Sequence, residues 1–323
     1  MYNLISINYS KIYSMNEHII KFPKGFLHYN FDGVMARVKE IEELPDKGIQ
    51  KVVFDLRGNE VISVLGTLLM ASSADRLIKK GYKCFVQYPK QRGWFLKSMG
   101  IIKEDFEQYL DGIRVPIQRC FTEEESMEAI NKKVIPMIRE EIKPAIPVLK
   151  AINWAIWEAV ANSITHGYCL YDYEGRLSDP IYCCAFNYKE FIEVAILDSG
   201  RGIQRSFLES GKEKYKDVEN EQALRLSIQN TESGHPQGSP GFGLFGCAEL
   251  AKNTGGDLVV ISGGNKLYLS ERELELKPCF YYAGTMIKLS IPAQFDLDLT
   301  KVFNPNNIIV TEDIDFLTGD FDE

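Results

Sequence analysis

Three polar residues recur at every fourth position of a stretch that is otherwise small or apolar, Trp157-Glu158-Ala159-Val160-Ala161-Asn162-Ser163-Ile164-Thr165-His166-Gly167-Tyr168. On an α-helix that spacing drifts by only about 40° per step, so Glu158, Asn162 and His166 share one face. Ala159, Val160, Ala161 and Ile164 lie between them, and the polar stripe therefore borders buried surface. Any fold of this chain must lay that helix against a core and keep a carboxylate and a carboxamide at the edge of it.

A carboxylate and a carboxamide one turn apart offer oxygen ligation to a hard cation and a base to orient an attacking group. A capped, solvated polar face is the alternative at this point. A second constellation follows in Ile196-Leu197-Asp198-Ser199-Gly200-Arg201-Gly202, where a carboxylate ends a β-branched strand and two glycines follow. Asp198 there can accept a hydrogen bond from an adenine amino group, and Gly200 and Gly202 let the backbone approach a purine without a Cβ in the way. An ordinary turn would look the same. The third constellation, Gly238-Ser239-Pro240-Gly241-Phe242-Gly243-Leu244-Phe245-Gly246, opens onto the helical run Cys247–Lys252. Glycine-rich backbone at a helix N-terminus aims unpaired N–H groups at an anion. A dinucleotide fingerprint shares Gly-x-Gly-x-x-Gly but belongs directly after the first strand of a βαβ unit, whereas the segment before Gly241 is polar and loop-like.

Around these motifs the chain reads as two α/β regions. Lys51–Leu56 reads as a buried strand, Ser63–Lys80 as a helix closed by Gly81, and Tyr82–Tyr88 as the next strand, which together make a βαβ unit. A short helix is expected around Trp94–Met99. The charged helical stretch Phe121–Lys143 and the prolines Pro144 and Pro147 follow, which puts the boundary near residue 120. From there a long helix, about Val148–His166, leads to strands at Tyr182–Asn187, Phe191–Leu197, Leu258–Ser262 and Thr285–Ile291. The expected division is 1–120, 121–295 and an acidic tail, 296–323.

The net charge of −8 argues against a sequence-independent hold on nucleic acid, which needs a basic surface. Seven cysteines, odd in number, scattered and without a C-x-x-C pair, argue against a zinc site or a disulfide framework. The longest apolar stretch, Val61–Ala71, is interrupted by Ser63, Gly66 and Thr67, and the first 14 residues lack the pattern of a leader. The expectation is a cytoplasmic protein with no membrane span.

The order of the motifs resembles the N, G1 and G2 boxes of the GHKL ATPases, whose α/β nucleotide-binding fold is shared by gyrase B, the heat-shock chaperone ATPase, histidine kinases and MutL. The resemblance covers about half the chain, residues 145–295, and ends with Gly284-Thr285 entering a strand. It implies ATP and Mg²⁺ as ligands, with Asn162 as the Mg²⁺ ligand and Glu158 as general base. By the same resemblance Asp198 reads adenine with Thr285 beside it, Gly200 and Gly202 shape the base pocket, and Gly241, Gly243 and Gly246 line the phosphates. His166 is a nucleotide contact or a helix cap. Arg201 and Arg205 are candidate phosphate contacts, His235 reads as a solvent-exposed residue, and the 38 residues Ile203–Pro240 fall where the family carries its ATP lid.

Glu158-Ala-Val-Ala-Asn162-Ser-Ile-Thr-His166-Gly-Tyr is most similar to the box of anti-sigma-factor serine kinases, and no segment looks like the dimerising hairpin of a sensor histidine kinase. Val53-Phe-Asp55 through Ser63-Val-Leu65-Gly66 resembles a STAS domain, with Leu65 where the phosphoacceptor serine of such domains would stand. The resemblance implies a regulatory kinase with a protein partner of the STAS or sigma-regulator type, and it allows a homodimer. An ATPase that drives a conformational switch and a nucleotide-binding module with little turnover are the other readings.

Overall fold

The computed structural model describes residues 5–6, 17–21, 50–58, 63–88, 93–101, 114–166, 179–230, 232 and 243–297. Gly241, His235 and most of the acidic tail lie outside them. The chain is mixed α/β, with one parallel and one antiparallel sheet, and divides into two compact units between Ile117 and Gln118.

The first unit holds β1 (Ile5–Ser6), β2 (Glu17–Lys21), β3 (Lys51–Asp55), helix α1 (Val64–Lys79), β4 (Lys83–Gln87) and the short helix α2 (Gly93–Ser98). Its sheet runs β1-β4-β3-β2, with β2 and β4 parallel to β3, so α1 is the crossover of the βαβ unit. The sequence dictates each end of α1. Ser63, in extended backbone, accepts from the Gly66 amide at 3.0 Å as its N-cap. Gly81, at φ +91°, takes the left-handed turn that ends the helix. Val64, Leu65, Leu68 and Leu69 are buried, as are Val52, Val53 and Phe54 of β3.

The second unit is built on a five-stranded sheet in the order β5-β6-β7-β9-β8, from β5 (Arg114–Cys120), within which the division between the units falls, β6 (Ile181–Asn187), β7 (Phe191–Asp198), β8 (Asp257–Ser270) and β9 (Leu274–Pro292). After β5, Thr122 caps helix α3 (Glu123–Ala129) by accepting from the Glu125 amide, and the Glu125 carboxylate accepts from the Phe121 amide, a reciprocal cap. A π-helical turn, Ile130–Val134, joins α3 to α4 (Ile135–Ile142). Pro136 has no N–H to offer the preceding turn, and the widened turn absorbs that loss. Lys143, at φ 54°, and Pro144 then end α4.

The long helix α5 (Ile146–His166) follows. It packs against α3, α4 and α8 (Gly243–Thr254) and touches β6 and β7, while α8 lies on β8 and β9. Two further helices, α6 (Gly202–Leu208) and α7 (Asn220–Ser227), pack on each other and on β8. They occupy the first part of the segment read above as a lid, so Ile203–Asn230 is folded onto the sheet. Strands β8 and β9 run well past the expected Ser262 and Thr285 as a paired ribbon, with register shifts beside Gly263.

Strand pairing sorts the sheet into two faces. On the one toward α5, Ile196, Ile287, Leu289, Leu258 and Val260 are buried, and the row Asp198, Thr285, Ser262 closes it at one end. The opposite face carries a buried ion cluster, in which the Lys288 ammonium lies 3.3 Å from Glu193 and 2.7 Å from Asp257. Burial opposes the charge on Lys288, but Glu193 and Asp257 hold its pKa above the usual lysine value. Glu193 is 2% exposed, and removal of its cation would strand a charge in the sheet. Lys288→Met is therefore expected to cost about 3 kcal/mol in urea unfolding, and a second change, Glu193→Gln, is expected to recover part of the loss.

Candidate functional site

Asp198 ends β7 and is 3% exposed. A carboxylate taken so far out of water needs donors, and they come from separate parts of the chain. Its Oδ1 accepts from the Gly200 amide at 2.9 Å and from the Thr285 amide of β9 at 3.2 Å. The hydroxyls of Thr285 and of Ser163, on α5, lie close enough to favour the charged form of the same carboxylate, and Ser163 itself donates to the Ala159 carbonyl at 3.2 Å. Burial still outweighs these bonds and pushes the Asp198 carboxyl up to about 6. The elements carrying the Glu158/Asn162 stripe, the Asp-x-Gly-x-Gly turn and Gly284-Thr285 thus meet at one side chain.

The turn after Asp198 lies flat on β9. Tyr282 donates its hydroxyl to the Asp198 carbonyl at 2.7 Å. A Cβ on Gly284 would fall 2.1 Å from that carbonyl oxygen, so only glycine permits the approach. Gly202, at φ +75°, would bring a Cβ within 2.6 Å of the Ala283 carbonyl oxygen. Gly284 is demanded here by strand contact, and Gly202 by strand contact and by backbone angle.

Asn162 immediately precedes Ser163, and Glu158 lies one turn earlier; both side chains are half-buried. Among the described residues neither has a hydrogen-bond or ion-pair partner. Burial raises the Glu158 carboxyl. On α8, burial first and the Glu158 charge second push the Cys247 thiol up to about 12. That thiol donates to the Ala155 carbonyl of α5 at 3.3 Å, and beside it a Cβ on Gly246 would stand 2.4 Å from the Trp154 ring. Gly246 thus has a packing role, as the point of closest approach between α5 and α8.

Gly243 opens α8, and His166 is the last residue of α5. The loop before Gly243, including Gly241, lies outside the described residues. Arg201 and Arg205 both pair with Glu209, at 2.8 and 2.5 Å. Ser163, Tyr282 and Ser262 were not singled out in the sequence, and only Ser163, one residue after Asn162 on the same helix, carried a signal that could have marked it. Among the described residues no group of three or more His, Cys, Asp or Glu could hold a metal ion, and no helix is long and apolar enough to cross a membrane. No protein-family model matches the chain, and no curated protein matches it.

The raised carboxyl makes a stability prediction with a definite sign. A group that titrates near 6 when folded and near 3.8 when unfolded binds more protons in the folded state between those values, so its charge costs stability as pH rises through that window. Asp198→Asn keeps the shape and an acceptor for Gly200 and Thr285 and removes the charge. It is expected to raise stability by up to about 3 kcal/mol at pH 7–8 and to give no gain near pH 4, as measured by urea unfolding at both values.

Proposed function

We propose that the chain is an Mg-ATP-binding regulatory protein of the GHKL type, acting as a serine/threonine protein kinase of the anti-sigma kind, with a STAS-like amino-terminal unit. The observation that carries this reading is the convergence of Ser163, Gly200 and Thr285 on buried Asp198, next to two oxygen-bearing side chains of α5 that have no partner among the described residues. A protein seldom leaves a charge so costly in place for packing alone, and a carboxylate held this way is matched to the amino group of a purine. The antiparallel sheet with α5 and α8 on one face, and the parallel βαβ unit before it, are compatible with the two fold families.

In this reading Asp198 accepts from the adenine amino group while the Gly200–Gly202 backbone lies along the ring. The amino-terminal end of α8 faces the phosphates, where unpaired N–H groups favour negative charge. Glu158 takes the proton from the attacking hydroxyl, and its raised pKa brings it closer to that task. Asn162, half-buried and unpartnered among the described residues, fits an oxygen ligand for Mg²⁺, which when bound would neutralise charge on the phosphates. A hard cation that keeps waters and phosphate oxygens needs no cluster of carboxylates.

The hydroxyl acceptor belongs to a separate protein of the STAS or sigma-regulator type. Ser63 is 3% exposed and occupied as the cap of α1, and Leu65 beside it has no hydroxyl. Mass spectrometry after incubation with Mg-ATP is expected to find no stoichiometric phosphate on Ser63, and finding it would refute this assignment. Calorimetry is expected to detect ATP binding that Asp198→Ala abolishes. Glu158→Ala should retain binding and lose turnover by about 10²–10⁴-fold. Radiolabelled ATP with candidate substrate proteins then separates phosphoryl transfer from hydrolysis.

A further inference from the structure

Helix α6 begins at Gly202 with no local side-chain cap, since Arg201 at its N-cap position makes no such bond. The missing acceptor comes from 59 residues away: the Ile203 amide donates to Oγ of Ser262 on β8 at 2.9 Å. The same hydroxyl donates onward to the Gly284 carbonyl at 2.9 Å. Ser262 is 0% exposed and pairs in register with Thr285, which in turn pairs with Asp198, so the three stand in one row across β8, β9 and β7. Both ends of the Asp198–Ile203 turn are therefore fixed to β9, one through the Thr285 amide and the other through this hydroxyl. The pairing register shifts immediately after Ser262, beside Gly263, so the regular ladder does not continue the tie on that side.

The Ser262 hydroxyl touches none of the carboxylate's atoms, yet it controls where they point. Gly200 lies between its two anchors, and the Gly200 amide is a donor to Asp198. With the Ile203 anchor gone, Gly202, in a left-handed turn that lies close against Ala283, Ser262 and Gly284, is free to relax and carry the Gly200 amide away.

We propose that Ser262 is a positioning residue for the base-recognising site: its hydroxyl bolts the start of α6 to Gly284 and thereby keeps the Gly200 amide on Asp198. This rests on the nucleotide reading above for its functional consequence, but not for its structural one. The groups facing the carboxylate are Ser163, Gly200 and Thr285, with Tyr282 on its backbone carbonyl, and none of them is charged. Loss of one donor therefore has no nearby cation to mask it.

The test uses the full chain. In nucleotide-free protein, carboxyl-carbon NMR of Asp198 across pH is expected to show the titration midpoint of Ser262→Ala at least half a pH unit above wild type. ATP affinity by calorimetry should fall about five-fold or more while the thermal midpoint stays well above the measuring temperature. If Ser262→Ala does not fold, Ser262→Cys, which keeps the volume and weakens the hydrogen bonds, takes the same measurements. Ser262→Thr, which restores the hydroxyl, should bring the midpoint back. An unchanged midpoint in a folded variant overturns the proposal. A raised midpoint in a protein whose wild type binds no ATP supports the positioning role and overturns the nucleotide reading instead.

Discussion

Dehydration of one carboxylate organises the second unit. Asp198 sits at the end of a central strand with almost no access to water, and an ion in that position is tolerated only when donors are brought to it. The glycine turn and β9 each supply an amide, from Gly200 and Thr285, and the hydroxyls of Thr285 and of Ser163 on α5 lie alongside and favour the charge. Those three segments are far apart in the chain, so the carboxylate can be satisfied only when the sheet is paired in register and α5 is docked on it. The bonds do not fully repay the desolvation, and the remainder is why its titration is displaced upward.

Much of the architecture was legible because local rules were obeyed. Ser63 and Gly81 bracket α1 as a cap and a left-handed terminator, and the β-branched runs at Lys51 and Lys83 became adjacent parallel strands. The four-residue spacing of Glu158, Asn162 and His166 fell within α5. The glycines after Asp198 were read for conformational freedom, which Gly202 uses, although the approach of Gly284 to the Asp198 carbonyl depends on a strand that local pattern cannot identify.

The misses have a common cause in non-local contacts. The strand read as Leu258–Ser262 does not end there: its pairing is irregular beside Gly263, and the ribbon continues to Ser270. Helices α6 and α7 were hidden in a segment read only for its place between the glycine motifs. Their stability comes from packing on β8 and from Asn220, whose amide donates to the Ser262 carbonyl and to Asn265. Ser262 itself is an unremarkable residue at a strand end, and nothing nearby in sequence marks its bond to Ile203. Gly246 was read for its backbone alone, and the room its missing side chain leaves for an indole is likewise a contact between distant segments.

That last contact has a geometric consequence. Helices usually meet at separations set by the side chains between them, and those separations drift as side chains change. Where Trp154 rests on Gly246 no side chain intervenes on one partner, and the Cys247 thiol grips the Ala155 carbonyl one residue further on. The gap between α5 and α8 is thereby gauged by a hydrogen atom, the smallest spacer a protein possesses. Surface residues on either helix can vary without altering that gauge, while the faintest enlargement at position 246 would wedge the two helices apart.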